Sequence, residues 1–226
     1  MSITLPQAYT SLQAWLHDHL IGNRALKLHA HIIDSSGLRA VLAEQTPRKL
    51  LDVGCGGGQS PLHLKEIYPH LEITGIDLSE DQILRARKRA RAKGLSVRFE
   101  TADAQALPFQ DEEFDVVFSF GSAKHWPDPR KGIAECWRVL KPGGELCIAD
   151  ATSDATREEI DSFFYISQFP RILRAPATAA MRTWMFANAQ PASYYKGIAD
   201  NVGLPPGSVG RVPDMPAFLI RARKPE

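Results

Sequence analysis

The feature that most constrains the fold is a short apolar run that breaks into glycines. Residues 50–58 read Leu-Leu-Asp-Val-Gly-Cys-Gly-Gly-Gly, and an amphipathic stretch follows at once. This order predicts a buried strand, a tight turn and the start of a helix. Gly54, Gly56 and Gly58 allow positive φ and close approach of a ligand, and the helix N-terminus behind them leaves free N–H groups. We expect a small polar ligand on this loop, although such a turn also occurs without one.

The spacing of the glycines distinguishes between ligand classes. A dinucleotide fingerprint needs G-x-G-x-x-G, and its third glycine would fall on Gln59. Asp52 precedes Gly54 by two residues and is expected at the strand end. Its charge would repel a pyrophosphate, but it could accept hydrogen bonds from an ammonium group. The loop therefore favours a ligand that carries an amine.

Two further acids close the next apolar runs of the sequence. Asp77 ends the run that starts at Ile73 and lies 25 residues beyond Asp52, which is the length of one βαβ unit. An acid at the tip of a second strand suits a bidentate grip on ribose hydroxyls, in NAD as well as in other nucleoside cofactors. Asp103 ends a third run that starts at Val97.

Three more motifs complete an ordered series. Leu107-Pro-Phe109 is followed by Phe114-Asp-Val-Val-Phe-Ser119, which is typical of a parallel strand buried on both faces, and by the helix stop Lys141-Pro-Gly-Gly144. In this order the motifs resemble the class I S-adenosylmethionine-dependent methyltransferases of the quinone-biosynthesis type, often grouped as type 11. The likeness spans roughly residues 48–151, with a weaker echo at 217–225.

The resemblance implies a role for each acid. Asp52 is expected to hold the methionine end of S-adenosylmethionine, Asp77 its ribose and Asp103 its adenine amino group. Ser119 and Gly121 are expected to line the methionine side. The other cofactor-binding positions that the resemblance implies are Gly54, Cys55, Gly56, Gly58, Leu78 and Ala104.

The alternation of strand and helix patterns predicts an α/β fold. Strands are predicted at 48–53, 71–76, 96–101, 114–120 and 144–150, with helices between them. We expect a Rossmann-like, doubly wound, mostly parallel seven-stranded sheet, with N-terminal helices at 6–20 and 25–45 and a helical insertion after the fifth strand. The single domain would comprise an N-terminal helical cap at 1–46, a cofactor-binding core at 47–151, a helical acceptor lid at 152–202 and terminal strands at 203–226.

The insertion after the fifth strand is rich in aromatic residues. Because ligands of such sheets bind beyond the carboxyl ends of the strands, we expect it to form the pocket or lid for an acceptor. The candidate pocket residues are Trp126, Phe163, Tyr165, Trp184 and Tyr194. Core packing is the alternative for these aromatics.

His125 lies just past the fourth predicted strand and is the candidate general base. Its alternative role is to shape the loop or contact the cofactor. His17 with His19, and His29 with His31, are two residues apart on predicted helices and point in different directions, so we expect no metal site. The basic residues between 85 and 93 predict a solvated helix face.

Composition excludes several classes of partner. The chain has 226 residues and a net charge of +1, which argues against bulk attraction to nucleic acid or to an anionic membrane. Three cysteines without metal spacing and the absence of a secretory segment predict a reduced, cytoplasmic protein. No apolar run approaches the length of a transmembrane helix. The expected partner is a small-molecule acceptor.

We therefore expect an S-adenosylmethionine-dependent methyltransferase that moves a methyl group to a small molecule. One alternative is an NAD-dependent oxidoreductase, which Gln59 and Asp103 disfavour. The other is a protein of the same fold that binds the cofactor but catalyses a non-methylating reaction, such as a rearrangement, or acts as a scaffold.

Overall fold

A computed structural model of the protein describes residues 22–46, 48–174, 177–178, 186 and 188–226. The strands are β1 (Lys49–Val53), β2 (Glu72–Asp77), β3 (Arg98–Thr101), β4 (Phe114–Phe120), β5 (Leu140–Ala151), β6 (Val209–Arg211) and β7 (Ala217–Arg223). The α-helices are α1 (Gly22–Ser35), α2 (Leu38–Ala43), α3 (Gln59–Ile67), α4 (Glu80–Lys93), α5 (Pro129–Val139), α6 (Arg157–Ile166) and α7 (Ala192–Val202). Short 3₁₀ turns lie at Ala123–His125 and Arg171–Leu173.

The strands form one seven-stranded sheet in the order β3-β2-β1-β4-β5-β7-β6. Strands β1 to β5 pair in parallel, and β7 pairs antiparallel with both β5 and β6. The order of the strands reverses between β1 and β4, and their carboxyl ends there form the crevice in which such sheets bind ligands. This topology confirms the predicted doubly wound, mostly parallel sheet with a helical insertion after the fifth strand.

Strand β5 begins earlier than its sequence pattern predicts. The sequence pattern predicts a strand at 144–150, preceded by a helix stop at Lys141-Pro-Gly-Gly144, but the strand runs from Leu140 to Ala151. Leu140 pairs with Phe114, and the register then shifts so that Val116 pairs with Glu145. A glycine at 143 with a φ of 73° accommodates the extra residues in the ladder.

Helical segments before the sheet follow the predicted pattern where the structure describes them. The predicted helix at 25–45 is divided at Gly37, which has a φ of 72° and separates α1 from α2. The predicted helix at 6–20 lies outside the described residues. No helix in the described part of the chain combines the length and the apolar character that are needed to cross a bilayer.

Apolar side chains fill both faces of the sheet. Leu51 and Val53 of β1 pack with Ile133 of α5 on one face, whereas Leu50 packs with Leu42 of α2 on the other. Alternate residues of a strand point to opposite faces, so each buried strand contributes to two apolar layers. This packing fixes the carboxyl ends of β1, β2 and β4 relative to one another.

The Leu107-Pro-Phe109 motif forms a loop that α5 holds in place. Arg138 donates hydrogen bonds to the carbonyl of Leu107 at 3.1 Å and to that of Phe109 at 2.9 Å. Glu135 pairs with Arg138 and accepts the N–H of Leu107 at 2.8 Å. The Arg138 guanidinium lowers the pKa of Glu135 below its ordinary value. The loop that follows Asp103 is therefore fixed by charged hydrogen bonds as well as by packing.

Candidate functional site

The glycine loop is tied to the neighbouring strand by backbone hydrogen bonds. The N–H groups of Gly54 and Cys55 both donate to the carbonyl of Ile76 at 2.8 Å. The N–H of Gly58 donates to the carbonyl of Cys55 at 3.0 Å and closes the turn before α3. Gly54, Gly56 and Gly58 have φ values of 81°, 53° and 79°, which confirms the predicted left-handed conformation.

The three glycines are required for different reasons. A Cβ atom at Gly54 would lie 2.0 Å from Oγ of Ser122, and one at Gly58 would lie 2.8 Å from Cβ of Ala86. A Cβ atom at Gly56 would meet no protein atom within 4 Å. Gly54 and Gly58 therefore serve the packing of the fold, whereas Gly56 borders open space that a ligand could fill.

Asp77 links the end of β2 to this loop through both of its carboxylate oxygens. Oδ2 accepts the N–H of Gly56 at 2.9 Å, and Oδ1 accepts the N–H of Ser79 at 2.9 Å. Burial raises the pKa of Asp77, and these two hydrogen bonds oppose that rise. Each carboxylate oxygen has a second lone pair that can accept a ligand hydroxyl. The adjacent Leu78 exposes 61% of its surface and offers an apolar contact beside the carboxylate.

Asp52 lies buried at the end of β1, close enough to Asp77 for the two charges to interact. Burial and the charge of Asp77 raise the pKa of Asp52 well above its ordinary value. Burial and the charge of Asp52 likewise raise the pKa of the Cys55 thiol. A cationic group bound here would stabilise both carboxylates in their charged forms. The electrostatics therefore favour a ligand with an amine, as the sequence predicts.

Asp103 follows β3, the third strand along this edge. Thr101 of β3 pairs with Asp77 of β2, so the segment after β3 begins beside the Asp77 carboxylate. Asp103 accepts the N–H of Gln105 at 2.9 Å, and Oε1 of Gln105 accepts the N–H of Asp128 at 2.8 Å. Ala104 is buried behind this turn. The three acids thus lie at the carboxyl ends of three adjacent strands, with Asp52 and Asp77 inside the ends of β1 and β2 and Asp103 just after β3.

The two residues expected to line the methionine side differ in their placement. Ser119 is fully buried, and its hydroxyl has no hydrogen-bond partner within the described ranges. It shares a face of β4 with Val117, whereas Asp52 shares the opposite face of the sheet with Phe118. Gly121 has a φ of 73°, and a Cβ there would meet nothing within 4 Å. Gly121 therefore borders open space, as Gly56 does.

The segment after β4 places His125 and Trp126 in contrasting environments. His125 is exposed at the end of the 3₁₀ turn. Trp126 is buried in the core, where its indole Nε1 donates to Oγ of Ser122 at 3.0 Å. Gly132 of α5 is in contact with the same ring, because a Cβ there would lie 2.3 Å from it. The structure thus places Trp126 in the hydrophobic core, where its ring does not line an open pocket among the described residues.

The other candidate pocket residues are spread over the insertion. Phe163 is half-buried. It packs against the apolar layer that contains Leu50 and Phe118, and also against the small cluster of Ile160 and Phe164. Tyr165 is 77% exposed, and Tyr194 is partly exposed at the start of α7. Trp184 lies outside the described residues.

Two residues that contact the glycine loop are absent from the predicted site residues. Ser122 fills the space over Gly54, and Arg89 donates to the carbonyl of Gly57 at 2.7 Å. Arg87 donates to the carbonyl of Phe99 but is exposed, as a solvated basic face predicts, whereas Arg89 is half-buried. Both flank the buried alanines of that helix, and this neighbourhood is the signal that could have identified them.

A family model described as a methyltransferase domain matches residues 51–148. The demethylmenaquinone methyltransferase of Deinococcus radiodurans is 41% identical over 131 residues, which are 57% of this chain and 53% of the relative. The 27-O-demethylrifamycin SV methyltransferase of Amycolatopsis mediterranei is 39% identical over 115 residues, which are 50% of this chain and 42% of the relative. The chain spans about half the length of the curated relatives it matches.

Solved structures share the fold of this chain. A SAM dependent methyltransferase from Aquifex aeolicus superposes with a TM-score of 0.62 at 19% identity, over 85% of this chain and 90% of that one. The (4+2)-cyclase SpnF superposes with a TM-score of 0.51 at 27% identity, over 84% of this chain and 81% of that one. At 19% identity, the likeness to the Aquifex aeolicus protein shows only that the two chains share a fold.

Alanine at two loop glycines separates a ligand role from a folding role. Both residues have positive φ, so either substitution is expected to cost about 1–2 kcal/mol of backbone strain. We expect Gly58→Ala to cost about 1–3 kcal/mol more in stability, because its methyl group clashes with Ala86. We expect Gly56→Ala to weaken binding of S-adenosylhomocysteine far more than it weakens the fold. Denaturant titration and calorimetry check this, and identical behaviour of the two variants would contradict it.

Asp52→Asn tests the electrostatics of the loop. The pKa of Asp52 is raised above 3.8 in the folded chain, so the favourable contribution of its protonated form is fully present below that value and is lost as pH rises through the raised pKa. We expect the ligand-free parent to lose thermal stability over this pH range and Asp52→Asn to lose less. Thermal unfolding at a series of pH values is the measurement, with the exposed Asp81→Asn as the matched control. Parallel pH profiles of the parent and Asp52→Asn would refute the assignment.

Proposed function

We propose that the protein transfers a methyl group from S-adenosylmethionine to a small-molecule acceptor, because a methyltransferase domain model matches residues 51–148 of this chain. The observation that carries the proposal is the edge formed by Asp52, Gly56 and Asp77. There, two interacting acids border a glycine that leaves open space for a ligand. This arrangement suits a ligand that presents both an amine and ribose hydroxyls.

Each acid has a proposed part in holding the cofactor. Asp52 receives the ammonium group of the methionine end, and the free lone pairs of Asp77 receive the ribose hydroxyls. Asp103 accepts the adenine amino group, and the exposed Leu78 packs against the adenine ring. Gly56 and Gly121 allow the ligand to approach the backbone closely. The buried positions Cys55 and Ala104 support the loop and the turn behind these contacts.

Positioning is the proposed source of catalysis. When bound, S-adenosylmethionine supplies a methyl group that is already activated as part of a sulfonium. The chain needs to hold an acceptor nucleophile in line with that group, and such alignment can lower a barrier by about 7–11 kcal/mol. His125 lies on an exposed turn next to the site and would serve as the base only for an acceptor that is weakly acidic.

The acceptor is proposed to be a small apolar molecule. The segment after β5 exposes the large apolar side chains of Tyr165, Ile172 and Leu173. Exposed apolar surface of this kind is typical of ligand or partner sites. The curated relatives are named for demethylmenaquinone and for a demethylated rifamycin, which supports an acceptor of this class. We propose that residues 152–202 act as the acceptor lid over the core at 47–151.

The free cysteines support a cytoplasmic location, which forms part of the proposal. Cys55, Cys136 and Cys147 are all buried and unpaired. Burial raises the pKa of Cys136 to about 12, which keeps its thiol protonated and unreactive. Unpaired cysteines are typical of a reducing compartment.

A non-methylating reaction is the second candidate function. The (4+2)-cyclase SpnF shares this fold at 27% identity, so the fold supports a reaction other than methyl transfer. Such a protein would bind the cofactor without consuming it. Formation of S-adenosylhomocysteine during turnover separates the two functions.

Calorimetry with S-adenosylmethionine, S-adenosylhomocysteine and NAD tests the cofactor. We expect both sulfur ligands to bind and NAD to give no heat. We expect Asp77→Ala to weaken binding by about 10- to 100-fold, because charged hydrogen bonds are worth about 1.5–3 kcal/mol each. The matched control is the exposed Asp81→Ala on the first turn of α4. Binding of NAD alone, or parental affinity in Asp77→Ala, would refute the site.

A screen for methyl transfer tests the acceptor class. The candidate acceptors are phenols, reduced quinones, small acids, tRNA and protein, each supplied with labelled S-adenosylmethionine. We expect label to move to a phenol or a reduced quinone. Methylation of tRNA or protein alone would overturn the small-molecule acceptor. Cofactor binding with no transfer to any acceptor would favour the non-methylating alternative.

A further inference from the structure

A buried ion pair holds the segment between β4 and α5 to the end of β5. The Asp150 side chain is 1% exposed and that of Lys124 is 12% exposed. Nζ of Lys124 donates to Oδ1 of Asp150 at 3.0 Å, and the backbone N–H of Lys124 donates to Oδ2 at 2.9 Å. The N–H of Ala151 donates to Oδ1 at 2.7 Å. One carboxylate therefore fixes both the backbone and the side chain of Lys124.

A buried ion pair is weak evidence for a role in stability. Two charges lose their hydration when they are buried, and apolar side chains of similar volume often serve stability as well or better. The pair Lys93–Glu66 shows the usual alternative, because its side chains are 49% and 42% exposed and stay hydrated. A buried pair with three hydrogen bonds to one carboxylate instead imposes a single geometry on the groups that it joins.

The fixed segment connects the cofactor side to the acceptor side. On one side of Lys124, Ser122 packs over Gly54 of the glycine loop and accepts the indole N–H of Trp126. On the other side, His125 faces solvent at the end of the 3₁₀ turn. Asp150 itself lies where β5 leads into the insertion that we propose as the acceptor lid.

We propose that Lys124 and Asp150 are a positioning pair, which sets residues 121–126 against the glycine loop and thereby aligns the acceptor with the methyl donor. The inference rests on the proposed function. Neither charged group is needed to bind the cofactor, because the hydrogen bonds of the pair join the 3₁₀ turn to β5. Loss of the pair should therefore reduce the rate of transfer and leave cofactor affinity in place.

The test replaces both charges with apolar groups of similar volume. We expect Lys124→Met/Asp150→Leu to fold and to bind S-adenosylhomocysteine within about threefold of the parent, because removing both partners leaves no buried charge unpaired. With the acceptor that the parent methylates fastest, we expect the kcat of the double variant to fall about 100-fold. A misplacement of reacting groups by about 1 Å can reduce a rate by this factor. We also expect faster hydrogen exchange in a peptide that covers residues 121–126. The control Lys93→Met/Glu66→Leu should match the parent in all three measurements.

Parental kcat and parental exchange at residues 121–126 in the double variant would overturn the inference. If the double variant does not fold, Asp150→Asn takes its place, because its amide has nearly the same shape and keeps one acceptor oxygen for Ala151 and Nζ of Lys124, but turns an NH2 donor towards the backbone N–H of Lys124. A lower kcat at parental cofactor affinity in Asp150→Asn supports the inference, and a parental kcat overturns it. Failure of the proposed function is distinct from both results, because it appears in the parent itself, as absence of cofactor binding or as cofactor binding without methyl transfer to any acceptor.

Discussion

The carbonyl of Ile76 is the point on which the rest of the site depends. It accepts the N–H groups of Gly54 and Cys55, so the loop after β1 is bound to the end of β2. Asp77, the next residue, extends this connection by accepting the N–H of Gly56. The glycine loop and the proposed ribose acid are therefore one hydrogen-bonded unit, and a change in either strand end moves both.

This unit also concentrates negative charge. Asp52 is buried within the electrostatic reach of Asp77, and both pKa values are raised by burial. In the absence of a cation, such an arrangement opposes folding at neutral pH, because a carboxylate must lose its hydration or keep its proton. A bound amine stabilises the charged carboxylates and so offsets this loss of folding stability. The same two buried carboxylates are thus expected to lower the stability of the ligand-free fold and to raise its affinity for a cationic ligand.

Local patterns in the sequence predict the individual strands and the glycine loop, because both depend on neighbours within a few residues. Alternation of strand and helix patterns predicts the doubly wound topology, and the glycines predict positive φ. Contacts between residues that are distant in the sequence cannot be predicted from local patterns. Arg89 bonds to Gly57 across 32 residues, and Lys124 bonds to Asp150 across 26. The extra residues at the start of β5 were missed because Lys141-Pro-Gly-Gly144 reads as a turn, although its glycines allow an irregular strand.

The most direct test of the central claim is a crystal structure of the protein with S-adenosylhomocysteine. We expect the ammonium group within hydrogen-bond distance of Asp52, the ribose hydroxyls on Asp77 and the adenine between Leu78 and Asp103. The ligand should also approach the backbone of Gly56 most closely, since no protein atom occupies that space. A ligand bound elsewhere, or an empty glycine loop at saturating ligand, would contradict the claim.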